Sequence, residues 1–207
     1  MIIKINYKRM RIKIFSIMVL LLICGWSAHA QKVAVKTNLL YGAGTLTPNL
    51  GIEFGLGQRA TLDLWGGYNP WNIEGTAMDN KKWVHYLVQP EFRYWFCERF
   101  NGHFLGVHGL YGQYNVGGIE IPNIFGSDPL MDKNHRYEGS AYGGGLSYGY
   151  HWMWNKRWGM EFTVGFGAAR FEYDKYKCEM CSEVIGKESK TYFGPTKAGI
   201  TLVFLIK

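Results

Sequence analysis

Charged residues are scarce in this chain of 207 residues, since Asp, Glu, Lys and Arg together make up only 19% of it. Proline occurs 6 times and cysteine 4 times, whereas hydrophobic residues make up 47% and glycine occurs 27 times. A disordered chain would combine low hydrophobicity with high charge, and a coiled coil would be rich in Ala, Glu, Lys and Leu. The composition therefore excludes both classes, and the length is typical of one domain.

Long apolar runs are also absent after residue 30, where no stretch reaches the ~18 residues of a transmembrane helix. The first 30 residues contain a basic segment (4–13), a short apolar segment (14–24) and an Ala-x-Ala sequence ending at Ala30. This order is typical of a secretory signal peptide. We therefore expect residues 1–30 to be a signal peptide cleaved after Ala30, and residues 31–207 to form one exported domain.

The charge balance gives no support for a nucleic-acid partner. The formal net charge is +7, but the first 30 residues carry five of the 23 basic side chains and no acidic one. The rest of the chain holds 18 basic and 16 acidic residues, which is close to neutrality. Nucleic-acid-binding domains usually carry a clear basic excess. We therefore expect that the protein does not bind nucleic acid.

Alternation of apolar and polar residues dominates the sequence after residue 31, whereas helical periodicity is hard to find. In the segment 84–96, Val84, Tyr86 and Phe92 share one parity, while Arg93 lies on the other, mostly polar, parity. Because side chains of a strand alternate between its faces, this pattern predicts a strand with one apolar and one polar face. The predicted strands are 32–41, 49–56, 60–69, 84–96, 102–114, 141–152, 158–170 and 196–207, of which 102–114 fits either parity.

The connections between the predicted strands alternate in length. Short connections fall at 57–59, 97–101 and 155–157, long polar ones at 70–82, 115–137 and 174–191, and an intermediate one at 42–48. Antiparallel up-and-down strands would place all the short turns at one end and all the longer loops at the other. This is the plan of an outer-membrane barrel. We therefore predict an all-β fold, an eight-stranded antiparallel up-and-down outer-membrane β-barrel.

The distribution of side chains between the two faces separates a membrane barrel from a soluble one, which is apolar inside and polar outside. In the predicted strands the charged residues share a face with glycine and other small residues, and large apolar residues occupy the opposite face. Trp65 is an exception, because it shares the polar parity with Asp63. We expect a polar lumen, a lipid-facing apolar exterior and aromatic girdles near the strand ends. The predicted girdle residues are Tyr68, Trp71, Trp83, Trp95, Tyr150, Trp152, Trp154 and Trp158.

Eight charged or titratable side chains share the polar parity of the predicted strands. They are Lys36, Glu53, Asp63, His85, Glu91, Arg93, Glu161 and Lys197. Unpaired charges are costly in a narrow lumen, and eight strands leave little room for water. We therefore predict a structural network of ion pairs that fills the lumen. A gated path for small ions or an acid–base site is the alternative interpretation.

Both ends of the exported chain resemble a Bacteroidetes family of unknown function whose members are described as small outer-membrane barrels. The segments that carry the resemblance are KTNLLYGAGTLTPNLGIEFGLGQRATLDLWGGYNPW (36–71) and YFGPTKAGITLVFLIK (192–207). The resemblance extends over nearly all of residues 32–207 and implies an architecture similar to the OmpA transmembrane domain. It also implies that the gene lies near genes for fimbriae or other surface appendages. The family supplies no catalytic residues, so none are carried over.

Cys178 and Cys181 form a Cys-x2-Cys pair in the last long connection. Export to an oxidising compartment favours a local disulfide between them. A zinc site would need two more ligands, of which His135 in the neighbouring long connection could supply one. Cys97 lies in a short turn at the opposite end and cannot take part. We therefore predict a disulfide, no metal site and an odd thiol at Cys97.

No catalytic or cofactor-binding motif emerges from the sequence. An outer-membrane lipid hydrolase or acyltransferase would need a Ser, a His and an acid at the barrel surface, and no local motif places such a set. We therefore expect no cofactor and a non-enzymatic structural or surface protein, linked by the resemblance to assembly or anchoring of surface appendages. Its expected partners are outer-membrane lipid, the barrel-insertion machinery and appendage proteins. A small pore is the alternative function, and a lipid-modifying enzyme is the third.

Overall fold

Eight β-strands follow one another along the computed structural model, which describes residues 33–71, 82–119, 131–132, 135–177 and 184–206. They are β1 (Val33–Asn38), β2 (Asn49–Gly55), β3 (Ala60–Asn69), β4 (Lys82–Trp95), β5 (Gly102–Gly117), β6 (His135–Met153), β7 (Trp158–Lys177) and β8 (Val184–Ile206). Each strand pairs antiparallel with the next, and β8 also pairs with β1, so the sheet closes into a ring. The predicted all-β, up-and-down antiparallel sheet of eight strands is confirmed.

Short turns join the strands at one end of the ring, which we call the turn end. They occupy residues 56–59, 96–101 and 154–157, as the sequence predicts. The chain enters and leaves the ring at the same end, since Val33 pairs with Ile206 and with Phe54. The opposite end, the loop end, carries the remaining connections. The predicted signal peptide, residues 1–30 with cleavage after Ala30, lies outside the described residues.

A short helix, α1 (Leu39–Thr45), follows β1 at the loop end, where the sequence predicts that the strand continues to residue 41. The side chain of Asn38 accepts a hydrogen bond from the backbone N–H of Tyr41 at 3.1 Å and so caps the first turn of the helix. Leu46 ends it with a left-handed backbone at a φ of 51°. The strand prediction is wrong at 39–41 because a local cap competes with the ladder. Within the described residues, no helix is long and apolar enough to cross a bilayer.

Several strands extend further towards the loop end than the sequence predicts. β7 continues to Lys177 and β8 begins at Val184, although 174–191 reads as a polar connection. The backbone ladder between β7 and β8 continues in this region, where Glu172 pairs with Ser189 and Asp174 pairs with Lys187. Polar side chains occupy the outer face here, so the alternation that marks a strand is lost while the backbone pairing continues.

The two faces of the sheet differ sharply in polarity. On β7 the outward residues Phe162, Val164 and Phe166 are exposed, whereas inward Glu161 is 1% exposed. The ambiguous strand β5 turns Leu105, Val107 and Tyr111 outwards. Trp65 points into the ring, as its parity indicates. The assignments of Trp83 and Trp95 to the exterior girdle are wrong. Trp95 is completely buried, on the same inward parity as Arg93, and Trp83 packs against a buried cluster inside the ring.

Candidate functional site

The guanidinium of Arg93, on β4, lies at the centre of the ring's interior. Its Nη2 is 2.8 Å from Asp63 Oδ2, and its Nε is 2.6 Å from Glu91 Oε2. Its Nη1 lies 3.0 Å from Glu53 Oε2 and 2.9 Å from Glu161 Oε2. One side chain therefore contacts carboxylates from β2, β3, β4 and β7, which the five donors of a planar guanidinium can satisfy together.

Two lysines extend this cluster across the interior. Lys36, on β1, donates to Glu161 Oε2 at 2.7 Å and also pairs with Glu53. Lys197, on β8, donates to Glu91 Oε2 at 2.7 Å. We call the complete set the ion network, and all its side chains are less than 10% exposed. Its members are Lys36, Glu53, Asp63, Glu91, Arg93, Glu161 and Lys197.

The register of β2, β3 and β4 explains why the network needs so many cations. Glu53 lies directly opposite Asp63, and Asp63 lies directly opposite Glu91. Three carboxylates in one row across neighbouring strands would repel each other strongly. Arg93 lies next to this row on β4 and contacts all three carboxylates. Lys36 pairs with Glu53 from the other side.

Hydroxyl groups on the inner face supply further hydrogen bonds to the carboxylates. Thr61 donates to Glu53, Ser147 donates to Glu91, and Thr163 donates to Glu161 Oε1 at 2.9 Å. Gly106 faces the same carboxylate as Ser147, and a Cβ at this glycine would lie only 2.5 Å from Glu91 Oε1. The small residues on the polar parity thus make space for the network or donate to it.

An apolar cluster, which we call the apolar seal, closes the interior at the turn end. Its buried members are Ala34, Trp95, Phe100, Phe104, Val203 and Leu205. The ring centroids of Trp95 and Phe104 are 4.7 Å apart, and the indole N–H of Trp95 donates to Thr61 Oγ1 at 2.9 Å. The guanidinium carbon of Arg93 lies 4.5 Å from the centre of the Phe104 ring. This cation–π contact joins the seal to the ion network.

Almost no free volume remains around the ion network. The space that it shares with Asn38, Trp65 and Gln89 amounts to about 10 Å³. A buried water needs roughly 10–15 Å³ of such volume and about two to four polar partners. Among the described residues, the interior at this level therefore has no room for a substrate or a column of water.

The structure brings seven of the eight predicted lumen residues together, and His85 is the one that lies apart. His85 also faces the interior on β4. It lies six residues from Glu91 along the strand, which is about 20 Å nearer the loop end. Its Nε2 lies 2.8 Å from the hydroxyl of Tyr41, on α1. Shared parity therefore identified the inward face correctly, but it could not identify the position of a side chain along the axis of the ring.

Two buried histidines also line the interior, and the sequence analysis assigned them to no site. His108 Nε2 lies 2.9 Å from Thr196 Oγ1, and His151 is 1% exposed with its ring centre 6.2 Å from that of Trp95. The parity of His151 places it on the face of Gly149, which is a signal for an inward position. His108 carried no such signal because 102–114 fits either parity.

The predicted disulfide of Cys178 and Cys181 lies outside the described residues. Cys97 is a free, exposed thiol in a turn at the turn end. In the described part of the chain, no group of three His, Cys, Asp or Glu side chains could hold a metal ion.

A second cluster of buried side chains lies inside the ring at the loop end. It contains Val116, Met131, Tyr137 and Tyr173. The hydroxyl of Tyr173 donates to Glu188 Oε2 at 3.3 Å. Burial, together with the nearby Glu188 carboxylate, raises the pKa of Tyr173 to about 12. Tyr173 therefore keeps its proton at neutral pH and remains a hydrogen-bond donor.

The fold and the interior define a class of protein: an all-β chain whose eight antiparallel strands close around a paired ionic network. The chain belongs to the family described as "Protein of unknown function (DUF3575)", whose model matches residues 16–206. No curated protein matches the chain.

Proposed function

We propose that this chain is a non-enzymatic outer-membrane β-barrel with a closed interior, which serves as a structural protein of the cell surface. The observation that carries the proposal is the polarity of the closed sheet, with charged residues inside and large apolar residues outside. A water-soluble ring would bury its apolar face and expose its charges. The opposite arrangement is favourable in a bilayer, because lipid solvates apolar side chains and cannot solvate charges.

The height of the outer apolar band supports a membrane-spanning role. On β7 the outward residues are apolar from Trp158 to Ala168, and Arg170 and Glu172 follow. At a rise of about 3.3 Å per residue and a tilt of about 40°, this stretch spans roughly 25 Å. That height matches the apolar band of outer-membrane barrels.

The limit of the band towards the loop end falls within two residues along the register on β5, β6, β7 and β8, since Arg170 and Thr191 are already polar opposite Tyr142. Tyr111 pairs with Tyr142, and each is followed towards the loop end by a polar outward residue. Gln113, Ser140, Glu172 and Ser189 are consecutive register partners on β5, β6, β7 and β8. A change from apolar to polar outward residues is expected where a bilayer ends, and tyrosines are typical of that boundary.

Exposed aromatic side chains border the band at the turn end. They are Phe96, Tyr150, Trp152, Trp154 and Trp158. The tyrosine and tryptophan side chains among them favour the region of lipid headgroups, because they combine an apolar ring with a polar group. In the proposed orientation the short turns face the periplasm and the loop end faces the outside.

The packed interior supports a structural role in preference to a channel. The ion network leaves about 10 Å³ of free space, and the apolar seal closes the interior below it. We further propose that the barrel-insertion machinery places the chain in the membrane, where it contributes to anchoring or assembly of surface appendages. This last role follows from the resemblance of 36–71 and 192–207 to barrels linked with such appendages.

Cell fractionation combined with gel mobility tests the membrane location. The proposal predicts that the full chain fractionates with outer membranes, requires detergent for extraction and migrates differently before and after heating. A product that is soluble in the periplasm without detergent would contradict it.

A deletion strain tests the role in surface appendages. The proposal predicts fewer assembled appendages, restored by the wild-type gene, with unchanged lipid composition. Unchanged appendages would contradict this role, and altered lipid products restored by the wild-type gene would indicate a lipid-modifying enzyme instead.

A further inference from the structure

A cavity of about 210 Å³ lies inside the ring at the loop end, between α1 and the strands β4 to β7. We call it the outer cavity. Its wall includes the side chains of Trp83, Leu87, Val116, Met131, Ala141 and Phe171. The space around the ion network is much smaller, at about 10 Å³.

Some polar atoms of the wall are hydrogen-bonded to each other, whereas the hydroxyl of Tyr114 and Nδ1 of His85 have no hydrogen-bond partner among the described residues. The hydroxyl of Tyr41 and Nε2 of His85 lie 2.8 Å apart, and Thr45 Oγ1 donates to the backbone carbonyl of Tyr41 at 2.7 Å. The surface that faces the cavity is nevertheless formed mainly by carbon atoms. A ligand in this space would therefore meet hydrophobic and aromatic surface, and a charged ligand would lose its hydration without gaining an oppositely charged partner.

The volume indicates the size of molecule that the cavity can accept. Protein interiors are closely packed, and an empty apolar cavity destabilises the fold in proportion to its volume. An engineered apolar cavity of ~150 Å³ stays dry and binds benzene. The outer cavity is larger, so it can take a single aromatic ring with a short alkyl substituent.

We propose that the outer cavity is a binding site for a small, uncharged, hydrophobic molecule of about this size. The strands separate the cavity from the exterior of the ring, because Leu87, Val116 and Ala141 all lie on inward parities. The ligand therefore enters as a free molecule from the loop end and is not a chain of a bilayer lipid. The proposal goes beyond the structural role, since a purely structural barrel needs no ligand.

Toluene and benzoate form a matched pair of probes for this site, because they share the ring and differ in charge. The full chain is refolded into lipid nanodiscs, and its melting temperature is measured with increasing concentrations of each probe. A ligand that binds only the folded state raises the melting temperature. We expect toluene to raise it by several degrees and benzoate to leave it unchanged.

Two cavity-filling variants separate binding in the outer cavity from partition into lipid. Ala141→Leu and Val116→Phe each add side-chain volume to the wall, so we expect both to abolish the toluene-dependent rise. Val116→Phe keeps the test informative should Ala141→Leu fail to fold. The control is Ala198→Leu, which makes the same change as Ala141→Leu on the exposed outer face of β8 and should retain the full rise.

Three results would overturn the proposal. They are no rise with toluene in the wild type, an equal rise in the wild type and in a folded cavity-filling variant, and an equal rise with benzoate.

Discussion

The interior of the ring is filled in two different ways along its axis. Around the ion network the free space is about 10 Å³, whereas the outer cavity at the loop end measures about 210 Å³. The difference follows from the chemistry of the walls. A buried charge without its partner is far more costly than an apolar atom without a neighbour, so the ionic region must be complete. The apolar region tolerates free volume, and the proposed ligand site occupies it.

The exterior shows a parallel division. Within the apolar band the outward residues of β7 are apolar up to Ala168, and beyond it Arg170, Glu172 and Asp174 follow. The backbone ladder between β7 and β8 continues across this limit. The proposed membrane-spanning part is therefore defined by the change in outward side chains and not by secondary structure alone.

Removal of Arg93 should have the largest effect on stability. Arg93→Ala leaves four interior carboxylates without their shared partner, and breaking a buried ion pair costs about 3–5 kcal/mol. The free energy of unfolding, measured by urea denaturation in lipid vesicles, should fall by at least this amount. Arg170→Ala is the control, because Arg170 is half exposed and its pair with Glu172 is worth at most about 1 kcal/mol. Similar small losses in both variants would show that the interior is hydrated.

A charge placed in the apolar band should have the next largest effect. Val164 is exposed and lies near the middle of the outward band on β7. Val164→Lys should lower the free energy of unfolding in vesicles by about 2–4 kcal/mol, because lipid at the bilayer midplane solvates an ammonium group poorly. Ser189→Lys, on the polar outer face of β8, should change it by less than about 1 kcal/mol. Equal effects of the two lysines would argue against a lipid-facing band.

A change in the apolar seal should have a smaller effect. Trp95→Phe removes the indole N–H that donates to Thr61 and leaves a small void, which together should cost about 2 kcal/mol. The matched variant Trp158→Phe alters an exposed tryptophan at the turn end and should cost less than half as much. Equal losses in urea denaturation would show that the seal is not tightly packed.

The strands of the apolar band could be predicted well from the sequence. β3 has the predicted bounds, 60–69, and the inward parity of Arg93 and Glu91 is read directly from alternation. Alternation works here because each face of the strand has one constant environment. It fails at 174–191, where polar residues occupy the outer face, and at 39–41, where Asn38 caps a helix.

The contacts within the interior could not be predicted in the same way. Parity shows that Arg93, Glu161 and His85 face inwards, but the contacts of each depend on the register of the ring. That register brings Glu161 to 2.9 Å from Arg93 and keeps His85 beside Tyr41 on α1. Trp95 illustrates the same limit, since its position at a strand end suggested a girdle while its parity indicated the interior.

Conductance across a planar lipid bilayer tests the central claim of a closed barrel most directly. The refolded full chain is added to the bilayer, and insertion is verified independently by protease protection in matched vesicles. The ion network and the apolar seal predict that the inserted wild-type chain gives no steady single-channel current. A steady current that scales with salt concentration would contradict the closed interior and would identify the protein as a small pore.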